Sequence, residues 1–246
     1  MTTSLRRLIV NADDLGYDPA VNEGIVLAMR SGVVTSATLM VNLPHSAHGA
    51  TLARGLPVGL HLNLSRGAPL SSRFPAAMLK DGNFDEARVG SLPAKVVASE
   101  TEAQLARAEA LLGAPPTHVD VHRHLHRFPA VLEALGRVAG RRRMPVRALD
   151  EAMRAQLRHA GVRTTDHFVG EASGEAYWTE MRFASTVAEL PKGTTELMCH
   201  PGYPPHETRT SYALQRAVEL ATLTSASARR ALNEAGITLG SFADLR

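Results

Sequence analysis

The sequence has few of the features that mark disulfide-rich or membrane proteins. It contains one cysteine, Cys199, so no intrachain disulfide can form. Aromatic residues make up only 4% of the chain, and aliphatic side chains must therefore fill most of its core. The apolar run at 8–10 is too short for a signal peptide, and no run approaches the length of a membrane span. We therefore expect a cytoplasmic protein with no membrane partner.

The sequence also has little excess of positive over negative charge, because its formal net charge is only +3. The one dense basic run, at 141–143, is short and lies between a predicted helix and a predicted strand. A solvated helix end explains it, because cations there complement the helix dipole. A nucleic-acid surface would need a longer basic stripe with interleaved aromatic residues. We expect no nucleic-acid partner, and a homodimer stays open.

Short apolar runs alternate with longer helical patterns along the 246 residues, as in parallel βα units. The sequence predicts strands at 8–11, 37–41, 58–64, 117–121, 146–147, 167–169, 195–198 and 237–239. It predicts helices at 20–30, 46–54, 94–112, 129–137, 151–158, 176–190 and 215–234, the last with a break near 222–225. No repeat or linker divides the chain. We expect one α/β domain over residues 1–246, layered or barrel-like, with seven or eight short parallel strands.

Residues 65–90 form the longest stretch without a helical or strand period, and they are rich in Gly, Pro, Ser and Arg. Long irregular loops in compact domains are usually functional or disordered. Because this stretch follows a candidate ligand strand, it predicts a loop that covers the substrate. A mobile surface insertion is the alternative.

Polar side chains cluster where the predicted strands end. They are Asn11, Asp13, Asp14, Asn42, His61, Asn63, Asp120, His122, His124, His126, Arg147 and His200. In a parallel βα fold these strand ends lie at one face, and barrel enzymes build their active sites on that face. The pattern therefore predicts an active site there.

Two segments of the sequence contain the residues best suited to metal binding and proton transfer. An Asx turn or a helix cap would explain one acidic residue after the first strand, but Asp13 and Asp14 are more than a cap needs. One can bind a metal while its neighbour accepts a proton. From His118 to His126, five metal-competent residues recur at every second position, and they point the same way if the run stays extended.

Imidazole and carboxylate groups together suit Zn²⁺, with Mg²⁺ or Mn²⁺ as the alternative. Asp14 and two of the histidines would form a three-ligand site with positions open for water and substrate, as in catalytic metal sites. His200 follows the seventh strand, where Pro201 and Gly202 fix a turn that aims it into the site. One alternative makes Cys199 a nucleophile with His200 as its base. Adjacent strand residues point to opposite faces, so a buried thiol is the better interpretation.

In this order the motifs resemble those of the YdjC-like carbohydrate deacetylase family, whose best-known members are chitooligosaccharide deacetylases. The resemblance rests on residues 8–16, 32–36, 59–64, 116–120, 198–204 and 239–242. It implies a distorted TIM-like (β/α) barrel that removes acetyl groups from N-acetylated sugars with one divalent metal ion, Mg²⁺ or Zn²⁺. By motif position, Asp14, His61 and His122 would bind the metal. Asp13 would be the general base, and His200 a second catalytic or oxyanion-side group.

The resemblance also bears on residues beside these ligands. In the family the fourth strand often ends in three successive histidines, whereas Arg123 takes the middle position here. We expect Arg123 to affect substrate choice, because it brings a charge near the pocket mouth. We expect Asn63 and His124 to contact a small carbohydrate substrate. Arg147 would either lower the pKa of Asp13 or hold a substrate oxygen, with a strand-end salt bridge as the alternative.

Two other functions stay open at this point. A metal-dependent phosphoesterase, or another amidohydrolase on the same scaffold, would use the same metal and base. The absence of a glycine-rich phosphate loop favours the deacetylase. A non-catalytic sugar-binding module is the third interpretation, but binding alone needs no base such as Asp13.

Overall fold

A parallel sheet built from the buried apolar runs forms the centre of the protein. The computed structural model describes residues 5–172 and 174–245. Its strands are β1 (Arg6–Leu15), β2 (Ser36–Leu39), β3 (Val58–Leu62), β4 (Leu79–Lys80), β5 (Asn83–Phe84), β6 (Val119–Val121), β7 (His167–Val169), β8 (Gly193–Cys199) and β9 (Thr238–Leu239). The main sheet has the order β6-β3-β2-β1-β8-β7, and β9 also pairs with β1. All its ladders are parallel, whereas β4 and β5 form a separate antiparallel hairpin.

Helices cover the apolar side of this sheet. They are α1 (Pro19–Ser31), α2 (Ser46–Leu52), α3 (Ala94–Leu112), α4 (Pro129–Arg142), α5 (Glu151–His159), α6 (Glu180–Glu189), α7 (Leu214–Thr224) and α8 (Ala226–Glu234). Side-chain caps fix several of the starts, as at Asp18 before α1 and Asp150 before α5. Ser225 caps α8 and separates it from α7, which confirms the predicted break.

The fold confirms the predicted α/β class with parallel strands curved towards a barrel. The predicted strand at 146–147 is reduced to an isolated parallel bridge between Val119 and Val146. The Val146 N–H donates to the Arg163 carbonyl (3.0 Å), which links this bridge towards β7. Within the described residues no ladder joins Val146 to β7, so the barrel is distorted and incompletely closed.

Alternation along β1 separates an apolar side from a polar interior. Leu8, Val10 and Ala12 belong to the large core shared with the helices. Ile9 instead forms a small cluster with Phe242 and Leu245, which close the barrel at the amino ends of the strands. Polar side chains fill the interior above this apolar floor, and they lead to the opposite end, where the candidate site lies.

The run from His118 to His126 is not extended throughout, so the condition under which its five polar residues would share one face is not met. The strand β6 ends at Val121, and His122–Arg127 form a 3-10 turn. Arg123 and His124 have φ values of 56° and 55°, in the left-handed region. The cause is that the partner strand β3 ends at Leu62, so no ladder is available beyond Val121.

Residues 65–90 form short local elements and are held in place by the buried carboxylate of Glu100. The segment contains two 3-10 turns, Ala76–Met78 and Glu86–Ser91, and the β4–β5 hairpin. The Glu100 carboxylate on α3 accepts the backbone N–H groups of Leu70 (3.0 Å) and Ser71 (2.8 Å). The segment is therefore anchored on α3, unlike a free insertion.

The basic run at the end of α4 has a different role from the one predicted. Arg141 contacts Glu102 (3.1 Å) and Arg142 contacts Glu109 (2.7 Å), both on α3. These half-exposed ion pairs join two neighbouring helices, so the run is not simply a solvated helix end. Among the described residues, no helix is both long and apolar enough to cross a membrane.

Candidate metal-binding active site

Asp14 lies at the end of β1 in a conformation that few non-glycine residues adopt. Its φ is 71°, and such left-handed backbone persists only where the surroundings enforce it. One carboxylate oxygen, Oδ2, accepts a hydrogen bond from the Arg216 guanidinium (2.5 Å). The other, Oδ1, is buried without a hydrogen-bond partner in the described part of the chain. Burial by itself would raise the pKa of Asp14, but Arg216 and the nearby histidines hold it well below its ordinary value.

His61 points its Nε2 atom at Asp14 from the end of β3. The distance from Nε2 to Asp14 Oδ1 is 3.3 Å, and Nδ1 donates to Asp120 Oδ1 at 2.6 Å. Thr38 donates to the other Asp120 oxygen (3.0 Å) and so fixes that carboxylate. A carboxylate on Nδ1 is the usual partner of a metal-binding histidine. Burial lowers the pKa of His61, but Asp120 and Asp14 outweigh it and raise the pKa to about 10.

His122 approaches the same carboxylate from the turn after β6. Its Nε2 lies 3.9 Å from Asp14 Oδ1, and its Nδ1 lies 2.6 Å from Ser65 Oγ. Because the Ser65 hydroxyl donates to Asn63 Oδ1 (3.1 Å), it accepts from His122 Nδ1–H. Burial lowers the pKa of His122 to about 3, so the imidazole is neutral and its Nε2 lone pair is available.

These three residues fit a divalent cation. Donor atoms of Asp14, His61 and His122 lie within 4.8 Å of one another, and all three residues are buried. The orphaned Asp14 Oδ1 and two imidazole nitrogens are ligand types that suit a transition metal. Asp13, His61 and Asp120 form a second convergent group, but Arg147 already contacts both of its carboxylates. We therefore take the first group as the candidate metal site.

Asp13 is paired with a buried arginine. The Arg147 guanidinium donates to both Asp13 oxygens at 2.7 Å, and its Nε donates to Glu196 (2.7 Å). Burial would raise the pKa of Asp13, but the Arg147 charge lowers it well below its ordinary value. This fits the predicted effect of Arg147 on Asp13. It does not fit the predicted contact with a substrate oxygen, because the Arg147 side chain has no exposed surface.

Asn63 and His124, the other two residues predicted to contact the substrate, differ in whether they reach the cavity. Asn63 is fully buried and organises the loop after β3, since its side chain bonds Asn42, Ser65 and the Arg66 backbone. Asn63 therefore supports the site indirectly, because it holds Ser65, which contacts His122. This position does not fit the predicted direct contact between Asn63 and the substrate. His124 lines the cavity, and its Nδ1 is buried without a partner among the described residues. Substrate contact by His124 stays a prediction.

His200 lines the same cavity at the end of β8. Its backbone N–H donates to the buried carboxylate of Glu219 (2.6 Å), which also accepts the Tyr212 hydroxyl (2.5 Å). The Tyr212 ring packs edge-on against the imidazole with centroids 5.6 Å apart. Glu219 and Tyr212 therefore fix the position of His200 from behind and from the side.

Cys199 points away from this cavity, as the alternation of β8 predicts. The thiol is fully buried and donates to the Asn11 carbonyl (3.3 Å), and burial raises its pKa well above the ordinary value. Such a thiol cannot serve as a nucleophile. We expect Cys199→Ala to keep the parent turnover within about threefold, and to lose about 1 kcal/mol of stability for the small cavity it leaves. Turnover and urea unfolding check this, and an inactive but folded variant would restore the nucleophile alternative.

Several cavity residues were not predicted from the sequence. The cavity has a volume of about 820 Å³, and its walls include Tyr17, Arg66, Phe168, Tyr177, Tyr212 and Arg216. Arg216 is the most consequential, because it binds Asp14 and lies over the Tyr17 ring, 5.5 Å from its centroid. Arg216 comes from the first turn of α7, far from any strand end, so no pattern in the sequence marked it.

The fold and these side chains define the class: an α/β barrel-like protein with an Asp–His–His group at the carboxyl ends of its strands. The chain belongs to the YdjC-like protein family, since the sequence model of that family matches residues 7–234. It is 39% identical to a carbohydrate deacetylase of Geobacillus stearothermophilus over 243 residues, with 95% of this chain and 96% of the relative covered.

Two further proteins extend this comparison. A chitooligosaccharide deacetylase of Salmonella typhimurium is 37% identical over 253 residues, and the match covers 98% of this chain and 99% of the relative. A crystal structure from Enterococcus faecalis V583, of a protein named for cellobiose-phosphate cleavage, superposes with a TM-score of 0.89. Its sequence is 26% identical, and 98% of each chain is covered.

Proposed function

We propose that this protein is a metal-dependent carbohydrate deacetylase that hydrolyses the acetamide of N-acetylated sugars or oligosaccharides. The observation that carries the proposal is the convergence of Asp14, His61 and His122 beside the Arg147-bound Asp13 at one end of the barrel. The cavity above these groups is large enough for a small carbohydrate, since ligand sites commonly have volumes of about 300–1,000 Å³. The names of the full-length relatives from Geobacillus and Salmonella support the same activity.

Each side chain has a separate task in this proposal. Asp14, His61 and His122 would hold one divalent cation, Zn²⁺ or Mg²⁺, which polarises a bound carbonyl and lowers the pKa of water. Asp13 would accept a proton from the attacking water, because Arg147 keeps it ionised while both groups stay buried. His200 would donate a proton to the leaving amine, and Glu219 holds its backbone in place for this. Arg216 neutralises part of the negative charge of Asp14.

Acetate release tests the proposal against its alternatives. A panel of N-acetylated mono- and oligosaccharides should yield acetate with the metal-loaded protein, and a chelator should abolish the release. The same incubations are assayed for inorganic phosphate with phosphorylated sugars, because a phosphoesterase would use the same metal and base. Phosphate without acetate would support the phosphoesterase, and sugar binding without either product would support a non-catalytic module.

Arg123 provides a separate prediction about substrate choice. It lines the cavity from its left-handed position, and its Nε contacts Glu86 Oε1 at 2.9 Å across the mouth. Both side chains are about half exposed, so the pair contributes little to stability. We expect Arg123→His to change the relative rates among acetylated sugars by about threefold or more, with metal content unchanged.

Glu86→Gln is the matched variant for Arg123→His, because it removes the ion pair and keeps the arginine. A shift in the same direction would assign the effect to the pair, and a shift for Arg123→His alone would assign it to the guanidinium. Metal content and kcat/KM on the same sugar panel are the measurements. Equal slowing of every substrate would remove Arg123 from substrate choice.

A further inference from the structure

A buried histidine outside the candidate metal site, His118, contacts Asn11 in the barrel interior. It precedes β6, is fully buried, and is assigned no role by the metal site or the cavity. Its Nε2 lies 3.0 Å from Asn11 Oδ1, and Asn11 Nδ2 donates to Asp13 Oδ1 at 2.9 Å. The three residues form a continuous line of hydrogen bonds from the barrel floor to the proposed base.

The directions of these hydrogen bonds have one consistent solution. Both Asp13 oxygens accept from the Arg147 guanidinium, so the carboxylate acts as an acceptor and the Asn11 amide turns its NH₂ group towards it. The Asn11 oxygen then faces inward, where it accepts the Ser36 hydroxyl (2.7 Å). His118 must also donate to that oxygen, which requires the proton on Nε2. Thr117 Oγ lies 2.9 Å from Nδ1 and can donate to it, so both ring nitrogens are satisfied by the neutral imidazole.

The ring of His118 is held on both sides. Phe242 stacks on it with centroids 3.6 Å apart and an interplanar angle of 10°. On β3, Gly59 leaves the space that the ring occupies, since a Cβ there would lie 2.5 Å from ring atoms Cε1 and Nδ1. A ring clamped in this way presents its Nε2–H in one direction only. Burial and the Arg147 charge lower the pKa of His118 well below its ordinary value, which agrees with a neutral ring.

The line of bonds makes the two Asp13 oxygens unequal. Oδ1 accepts from both Arg147 and Asn11, whereas Oδ2 accepts from Arg147. A carboxylate oxygen has about two acceptor positions, so Oδ1 is filled and Oδ2 keeps one. We infer that His118 is a positioning residue that orients the Asn11 amide, and through it leaves Oδ2 of Asp13 as the oxygen that takes up the proton. This inference rests on the proposed role of Asp13.

The first test does not depend on turnover. In protein labelled with ¹⁵N-histidine, we expect the His118 imidazole to be the neutral Nε2–H tautomer at neutral pH, with Nδ1 unprotonated. His118→Leu identifies its signals. An Nδ1–H tautomer would reverse the hydrogen bond to Asn11 and overturn the inference, whatever reaction the protein catalyses.

The second test uses kcat and KM for acetate release at equal metal content. Loss of a hydrogen bond to a charged group should lower kcat about 10- to 100-fold in Asn11→Leu, with KM changed by less than about threefold. His118→Leu should lower kcat by about 10-fold, and His118→Gln, which keeps an N–H donor, should recover part of this. If His118 acts through Asn11, the double variant should be no slower than Asn11→Leu alone. The exposed His159→Leu is the matched control.

Smaller substitutions keep the test valid if His118→Leu does not fold. Ser36→Ala and Thr117→Val each remove a single hydroxyl from the network, and each should lower kcat about 2- to 10-fold. Parent kcat in both variants, or losses in the double variant that multiply, would overturn the inference. A parent protein that releases no acetate from any sugar would instead contradict the proposed function, and the tautomer measurement would still decide whether His118 orients the Asn11 amide.

Discussion

Asp13→Asn is expected to lower kcat for acetate release by about 10²–10⁴-fold, the usual contribution of a positioned proton acceptor. Asparagine keeps the size of the side chain and one hydrogen-bond acceptor for Arg147, but it cannot take up a proton at neutral pH. Metal content should stay at the parent level, because Asp14 rather than Asp13 supplies the proposed ligand oxygen. Turnover and metal analysis on the same preparation check both parts of this expectation.

Asp150→Asn is the matched control for this substitution. Asp150 caps α5 through its contact with the Met153 N–H (2.8 Å), and asparagine is an equally good cap. The control should therefore retain the activity and stability of the parent. Loss of metal from Asp13→Asn, or activity close to the parent, would show that the two adjacent aspartates have been assigned the wrong tasks.

His122→Ala is expected to lower the affinity for the divalent cation by about 10-fold or more, since even residues behind the ligands have effects of this size. The substitution removes one of three donor groups and leaves Ser65 without its imidazole partner. Activity should fall with metal occupancy and recover in part at high metal concentration. Titration with Zn²⁺ or Mg²⁺, followed by acetate release at each occupancy, measures both effects.

The exposed His159→Ala on α5 serves as the control, because it removes an imidazole far from the cavity. A further comparison with Ser65→Ala distinguishes the loss of the His122 ligand from the loss of the hydrogen bond that orients it. That variant keeps His122 but removes the hydroxyl that holds its ring. We expect Ser65→Ala to bind metal more weakly than the parent and more tightly than His122→Ala. Full metal occupancy in His122→Ala at limiting cation would remove His122 from the ligand set.

The positions of the proposed ligands could be predicted because they depend on strand ends. Asp14 and His61 each follow an apolar run, and parallel strands bring such ends to one face whatever the details of packing. His122 could be predicted for the same reason, although the backbone turns immediately after Val121. Periodicity cannot mark that turn, because it depends on where the partner strand β3 ends.

Residues whose roles depend on reach and burial could not be predicted in the same way. Arg147 follows a strand-end pattern, but only the structure places its guanidinium between Asp13, Asp120 and Glu196. Arg216 reaches Asp14 from a helix 202 positions later in the chain. Asn63 is polar and correctly located at a strand end, yet its amide is used within its own loop. Long side chains and loop hydrogen bonds carry no signal in local spacing.

The place of β1 in the sheet has a consequence for how the chain folds during synthesis. The strand supplies both proposed aspartates, and it pairs on one side with β2, which follows soon after it. Its other neighbour is β8, whose pairing begins with Arg6 opposite Gly193. A nascent chain therefore carries a ten-residue strand with one open edge until most of the protein has left the ribosome. Such edges promote association between chains, so we expect expression yield to depend strongly on temperature and on chaperone supply.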